Sequence, residues 1–389
     1  MKIGMTGVTG FVGSSIATAL LKNGHSVIAL SRRDPDGNRT RLAVRQAWEG
    51  FGYGDEFINQ ASARLDVVNT DFQDLTHIRD DLLKKIESFI HVAGDMSYEV
   101  DAFHKAFQSN VVITENLYKV LALNARNCRE FIQISTAYTT GFHRGGRTFE
   151  QLHPAPEGMH VYQTTKWMAE QQLKILSDLY DLPVVVMRLS AVMGHSRTGW
   201  YGVSPYAIYA LWESFMKCAL DGVSEVRVPL KPDSHVNIIP VDVVSDRVAS
   251  LVSYDSRAPE CFYPTMDRII ADERVRTDNS RVGLRVMHNV ADAELNVKKC
   301  LDLFSEVAGI KVLCGVPETL RDKALYHDCE RHLRYVDHSW DFDRTQIRSF
   351  LGNQYREFAM DEETMRVLLK HFCHFSRLDR GSVRSNVVA

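Results

Sequence analysis

Tyr162 and Lys166 are the pair in this chain best suited to chemistry, because a helix brings side chains four apart onto one face. A phenol is a poor acid–base group near neutrality unless a nearby cation favours its ionised form. Lys166 would supply that field and could also hold ribose hydroxyls. A hydroxyl in the preceding Ser135-Thr136-Ala137, at a strand's end, would orient a substrate oxygen. Tyr-x-x-x-Lys also occurs on ordinary helices where the lysine only lays its stem along apolar surface. The pair gains meaning from a second motif at the amino terminus.

That motif is Thr6-Gly7-Val8-Thr9-Gly10-Phe11-Val12-Gly13, directly after the apolar run Lys2–Met5 and opening a helical stretch Phe11–Lys22. Gly7 would let the chain turn sharply, Gly10 would let backbone approach a pyrophosphate, and Gly13 would let the helix pack on the sheet. The diphosphate would meet free N–H groups at the helix start, so Thr9, Phe11 and Val12 join the glycines as candidate contacts. The second strand ends Ser31-Arg32-Arg33, where an NAD site usually carries an acid for the ribose hydroxyls. Arg32, Arg33 and Arg41 instead suit a 2′-phosphate, so NADP(H) is the expected cofactor, although Asp34 is close by. Asp71 could accept from the adenine amino group, with Phe72 beside the ring. Ala93 and Gly94 let the cofactor lie against backbone, and Leu189 ends a later strand facing the same site.

Other reactive side chains carry less. His91 reads as a packed or hydrogen-bonded histidine. His327, Cys329 and His332 do not match a zinc box, and a helix would splay them. His371, Cys373 and His374 read as packing residues, so no metal site is expected. Neither His-Glu-x-x-His nor Gly-x-Ser-x-Gly occurs.

The elements that must position these groups alternate along the chain. Strands at Ser26–Leu30, Leu65–Val68, Phe89–Val92, Phe131–Ser135 and Val184–Leu189 are separated by helices near Thr40–Gly50, Leu75–Lys85, Ala102–Leu123 and Val161–Tyr180. That rhythm predicts an α/β fold, a doubly wound parallel Rossmann sheet. It changes near Gly194. Residues 1–194 are expected to form the NADP-binding domain, with a segment around 235–253 returning to it. Residues 195–378 form a smaller, mostly helical C-terminal cap over the substrate pocket. Ser256–Arg281 reads as a surface excursion, Leu284–Val290 as a strand, and residues after Leu378 as a frayed tail.

At 389 residues and a net charge of −3, the chain gives no reason to expect nucleic acid or an anionic membrane as partner. No apolar run reaches transmembrane length. Seven scattered cysteines without a Cys-x-x-Cys pair fit reduced thiols. A strand beginning at Lys2 leaves no room for a signal peptide, so cytoplasm is the expected compartment.

Over roughly residues 1–250 the chain resembles the extended short-chain dehydrogenase/reductase family. The resemblance rests on the glycine motif, Ser135–Ala137, Tyr162 with Lys166, and Asn237–Asp242. It implies that the catalytic hydroxyl, four residues before the ending Thr140-Gly141, is Thr136 rather than Ser135. It also implies a mainly structural role for Asn110. Leu30-Ser31-Arg32, Arg41-Leu42, Trp167 and Glu170 after Lys166, Gly199-Trp200 and Pro240–Val244 are similar to the thioester-reductase and fatty-acyl-reductase branch. That likeness implies NADPH-dependent reduction of an acyl thioester to aldehyde or alcohol, with Tyr162 as proton donor. The acyl group would be coenzyme A bound or arrive on a carrier protein in trans. Trp200 would shape the mouth of an acyl channel, unless it is a core aromatic. An epimerase, dehydratase or secondary-alcohol dehydrogenase acting on a nucleotide sugar is the alternative, and a non-enzymatic dinucleotide sensor a further one.

Overall fold

The computed structural model describes residues 1–75, 78, 80–142, 147–155, 158–202, 208–253 and 283–385, with side chains to 377. The excursion expected at 256–281 lies outside the described residues. Seven strands build one parallel sheet: β1 (Lys2–Thr6), β2 (Ser26–Ser31), β3 (Leu65–Asn69), β4 (Ser88–His91), β5 (Phe131–Thr136), β6 (Val184–Leu189) and β7 (Leu284–Asn289). Their order is β7-β6-β5-β4-β1-β2-β3. The strand order reverses between β1 and β4, which opens a crevice at their carboxyl ends. The central strands are short, apolar and buried on both faces, as a parallel sheet covered by helices requires.

Helix α1 (Phe11–Lys22) follows β1 through the glycine turn, and α2 (Asn38–Gly50) follows β2. On the other side run α3 (Ile113–Asn124) and α4 (Val161–Tyr180). Ile3, Met5, Ile16 and Leu20 share one core with Val243 and Val248 of α6 (Val241–Ser253), which follows α5 (Ile208–Leu220). α6 thus packs against the sheet. The return goes further than the sequence suggested. β7 pairs with β6 from Leu284↔Val184 to Asn289↔Leu189, and Ile347, Phe350 and Leu351 enter the same core as Ile3.

Helices α7 (Val297–Ala308) and α8 (Leu320–Asp337) belong to the cap, α9 (Thr345–Leu351) packs back on β7, and α10 (Glu362–Ser385) closes the chain. The tail expected to fray after Leu378 therefore stays helical to Ser385. The cap has its own core, in which Trp212, Phe215, Phe304 and Phe372 are almost fully buried. Glu150 ties the segment before α4 to β7 and α9. Its buried carboxylate accepts from the backbone N–H groups of His288 (2.8 Å), Gln346 and Ile347 (3.3 Å).

Candidate active site

A cavity of about 770 Å³ runs along the carboxyl ends of β1, β2, β4, β5 and β6. Gly7, Thr9, Gly10, Phe11, Val12, Gly13, Arg32, Phe72, Ala93, Gly94, Thr136, Tyr162, Lys166 and Leu189 all line it. Arg33, Arg41 and Asp71 do not.

The glycine turn is shaped by contacts that no side chain would survive. Gly7 sits at φ +73°, and a Cβ there would lie 2.6 Å from the Ala93 nitrogen. A Cβ on Gly13 would lie 2.0 Å from the Gly7 oxygen, so α1 can start this close to β1 only at glycine. Gly10 caps α1 without a side-chain hydrogen bond, which leaves first-turn N–H groups facing the cavity. These features fit a dinucleotide diphosphate.

At the other end of the cofactor groove, the arginine assignment shifts by two residues. Arg41 donates to the Leu65 carbonyl at 3.1 Å, at the amino end of β3 and away from the cavity. Arg39 lines the cavity beside Arg32, donating to the carbonyls of Arg32 and Arg33 at 3.3 Å each. Arg33 itself is exposed in a left-handed turn at φ 54°. The cause is Asp34. Its carboxylate accepts from Arg39 N (3.0 Å), Thr40 N (3.0 Å) and Thr40 Oγ1 (2.7 Å), so α2 starts at Asn38 rather than Thr40. Burial alone would raise the Asp34 carboxyl, but these bonds hold it below its usual range. Asp71 is exposed and accepts from Gln73 N at 3.0 Å, while the buried Phe72 ring faces the groove.

Tyr162 and Lys166 lie one turn apart on α4, as their spacing requires. Lys166 Nζ donates to the Ile134 carbonyl at 2.6 Å, and burial lowers its pKa to about 8 against the opposing pull of Glu170. Burial raises the Tyr162 phenol well above its ordinary value, with Tyr98 and Glu170 adding to the shift. Thr136, ending β5, accepts the Tyr138 N–H at 3.3 Å and keeps its own proton to donate. Ser135 is engaged elsewhere. Its hydroxyl donates to Glu170 Oε1 at 2.5 Å, and Glu170 pairs with Arg188 at 2.6 Å, both side chains fully buried.

Asn110 accepts the Asp95 N–H at 2.7 Å and donates to Thr165 Oγ1 at 2.9 Å, tying a π-turn at Gln108–Val112 to α4. His91 is held between Thr6 Oγ1 (2.6 Å) and Thr114 Oγ1 (3.0 Å), and burial pushes its pKa down to about 3. Trp200 is half-buried and does not itself line the cavity. It packs against Phe11 and Phe51, at 5.7 Å between ring centres in each case, and lies over Gly50, where a Cβ would come within 2.2 Å.

Four cavity residues had no sequence motif to announce them: Tyr98, His160, His332 and Tyr335. His332 belongs to the histidine–cysteine cluster weighed above as a metal site. The helix does splay that cluster, with Cys329 donating to the Leu325 carbonyl inside the cap and His327 exposed. Among the described residues no three ligand side chains gather for a metal. His371 packs edge-on against Tyr201, and His374 against Phe375.

A seven-stranded parallel sheet with a glycine turn at its switch point and a helical cap is the architecture of the extended short-chain dehydrogenase/reductase type. The model of the male sterility protein family matches residues 5–248, and the chain belongs to that family. An aldehyde reductase of Aspergillus flavus is 27% identical over 274 residues, covering 66% of this chain. The matched stretch spans only 25% of that relative's length. A thiolation-reductase di-domain from an archaeal non-ribosomal peptide synthetase superposes with a TM-score of 0.71 at 16% identity, covering 97% of this chain and 76% of that one. UDP-glucuronic acid 4-epimerase from Bacillus cereus, solved with NAD, gives 0.63 at 17% identity and 96% of both chains. These two likenesses speak to the fold. Among the described residues no helix is long and apolar enough to cross a membrane.

Proposed function

We propose that this chain is an NADPH-dependent reductase of acyl thioesters, presented by a carrier protein in trans or as coenzyme A esters. The observation that carries this reading is the meeting of Thr136, Tyr162 and Lys166 in one cavity with the glycine turn. NADPH, when bound, supplies a hydride. Tyr162 gives its proton to the carbonyl oxygen as that oxygen gains charge, and Thr136 donates a hydrogen bond to the same atom. Lys166 supplies the positive field that eases proton loss from the phenol. The adduct then collapses to aldehyde and free thiol, and a second reduction gives the alcohol.

Arg32 and Arg39 support the phosphorylated cofactor, since two guanidinium groups flank the groove where the 2′-phosphate belongs. Asp34 does not compete, because its carboxylate is engaged in capping α2. The likeness to the archaeal thiolation-reductase di-domain and to the fungal aldehyde reductase supports carrier-bound substrates and aldehyde chemistry. The free state of the six described cysteines supports a cytoplasmic setting.

A second reading, epimerisation or dehydration of a nucleotide sugar, draws on the likeness to the UDP-glucuronic acid epimerase. The deciding experiment incubates purified protein with NADPH or NADH and a panel of acyl thioesters, aldehydes and nucleotide sugars, following absorbance of the reduced cofactor. Thioester-dependent oxidation of NADPH is expected. Turnover of a sugar nucleotide without any thioester reduction overturns the proposal.

A further inference from the structure

The part of the cavity that α8 covers differs in character from the cofactor groove. Tyr98 sits 4.1 Å from His160, 5.7 Å from His332 and 6.5 Å from Tyr162, between ring centres. The planes are tilted by 60°, 74° and 41°, so ring edges and faces are both presented around the phenol. Tyr335 adds a fifth ring, 5.1 Å from His160 and 5.5 Å from Tyr138.

This wall is fixed in place. Gln163 donates from Nε2 to the Tyr138 carbonyl at 3.2 Å, so its amide oxygen is left to accept. The Tyr335 hydroxyl donates to that oxygen at 2.5 Å and therefore accepts from His160 Nε2, also at 2.5 Å. The chain locks α8 to the first turn of α4, beside Tyr162, and no rotamer of Tyr335 can open a channel without breaking both bonds.

The wall also carries no charge among the described residues. Burial pushes His160 and His332 down to about 4 each, so both imidazoles are neutral at pH 7. Arg331 is paired with Glu99, and Arg334 lies over the Phe142 ring at 4.8 Å rather than lining the cavity. Lys105 faces the cavity but pairs with Asp95 at 2.8 Å. A charged acyl group seated against this wall would meet no unpaired counter-charge among the described residues lining it.

We propose that the acyl group taken by this site is a compact, uncharged aromatic one, its ring seated against Tyr98, His332 and Tyr335. An alkyl chain cannot use the ring edges and faces that the wall offers, whereas an aryl ring can. The inference rests on the thioester-reductase reading and narrows its substrate class.

The test compares benzoyl-coenzyme A with octanoyl-coenzyme A as substrates of the full chain with NADPH. The aryl ester is expected to show at least about tenfold higher kcat/KM. Tyr98→Leu should shrink that ratio several-fold, chiefly through KM for the aryl ester, and Tyr98→Phe, which keeps the ring, should restore it. An equal or better rate with octanoyl-coenzyme A overturns the inference while leaving the reductase reading standing. A ratio unchanged in a folded Tyr98→Leu protein overturns it as well. Turnover of nucleotide sugars alone overturns both.

Discussion

Ser135 and Thr136 are adjacent hydroxyls with opposite surroundings. Ser135 is tied to a buried ion pair, whereas Thr136 keeps a proton to donate into the cavity. Thr136→Val should therefore lower kcat by about 10² or more, by analogy with loss of one oxyanion donor. Ser135→Ala should keep most of the rate and lose about 1 kcal/mol of stability, read from a denaturation midpoint. Equal rate losses in the two variants would contradict the assignment. Lys166 adds a pH dependence. With a pKa near 8 it is charged below that pH and neutral above it, so its support for an ionised phenol fades as pH rises. The kcat/KM profile should fall above about pH 8, and a flat profile to pH 10 would remove Lys166 from that role. Both members of the Tyr162–Lys166 pair were legible in the sequence because their relation is local, one helical turn. Tyr98 and His332 were not, because only the docking of α8 brings them beside Tyr162.

At the scale of single elements, the start of α2 decides which arginines face the cofactor groove. Reading the helix from Thr40 points to Arg41. The Asp34 cap moves the start to Asn38 and turns Arg39 into the groove, while Arg41 reaches the opposite edge of the sheet. Arg39→Ala should raise KM for NADPH about tenfold with little change for NADH, since a charge-assisted hydrogen bond is worth about 1.5–3 kcal/mol. Arg41→Ala should leave both unchanged. The reverse pattern would restore the sequence-based choice. The glycine turn, by contrast, was readable in full, because strand, spacing and helix follow one another without a gap. Helix caps formed by a residue four positions upstream leave a weaker trace, and in the sequence Asp34 reads only as a rival to the arginines.

For the whole molecule, the parallel sheet was legible in the alternation of strands with helices, but the return of the chain was only half visible. Leu284–Val290 reads as a strand from its composition, yet nothing local says that it pairs with β6. Its place follows from long-range packing, with Glu150 binding the N–H groups of His288 and Ile347, and with Ile347 and Phe350 entering the sheet core. A chain ending at residue 253 should therefore lack its edge strand, expose β6 and fail to give a soluble, NADPH-binding domain. A folded fragment of that length with native affinity would show that β7 and α9 are accessories. The cap likewise depends on this return, since α8 must be carried back over the cavity to set Tyr335 against His160.

The central claim is that the phenol on α4 turns a dinucleotide site into a reductase site. Tyr162→Phe tests it most directly, with single-turnover reduction of a thioester and NADPH binding by fluorescence measured on the same preparation. The expected result is a fall in rate of about 10²–10⁴ with cofactor affinity within about twofold of the parent protein. A rate that survives the substitution, or affinity lost together with it, would contradict the claim.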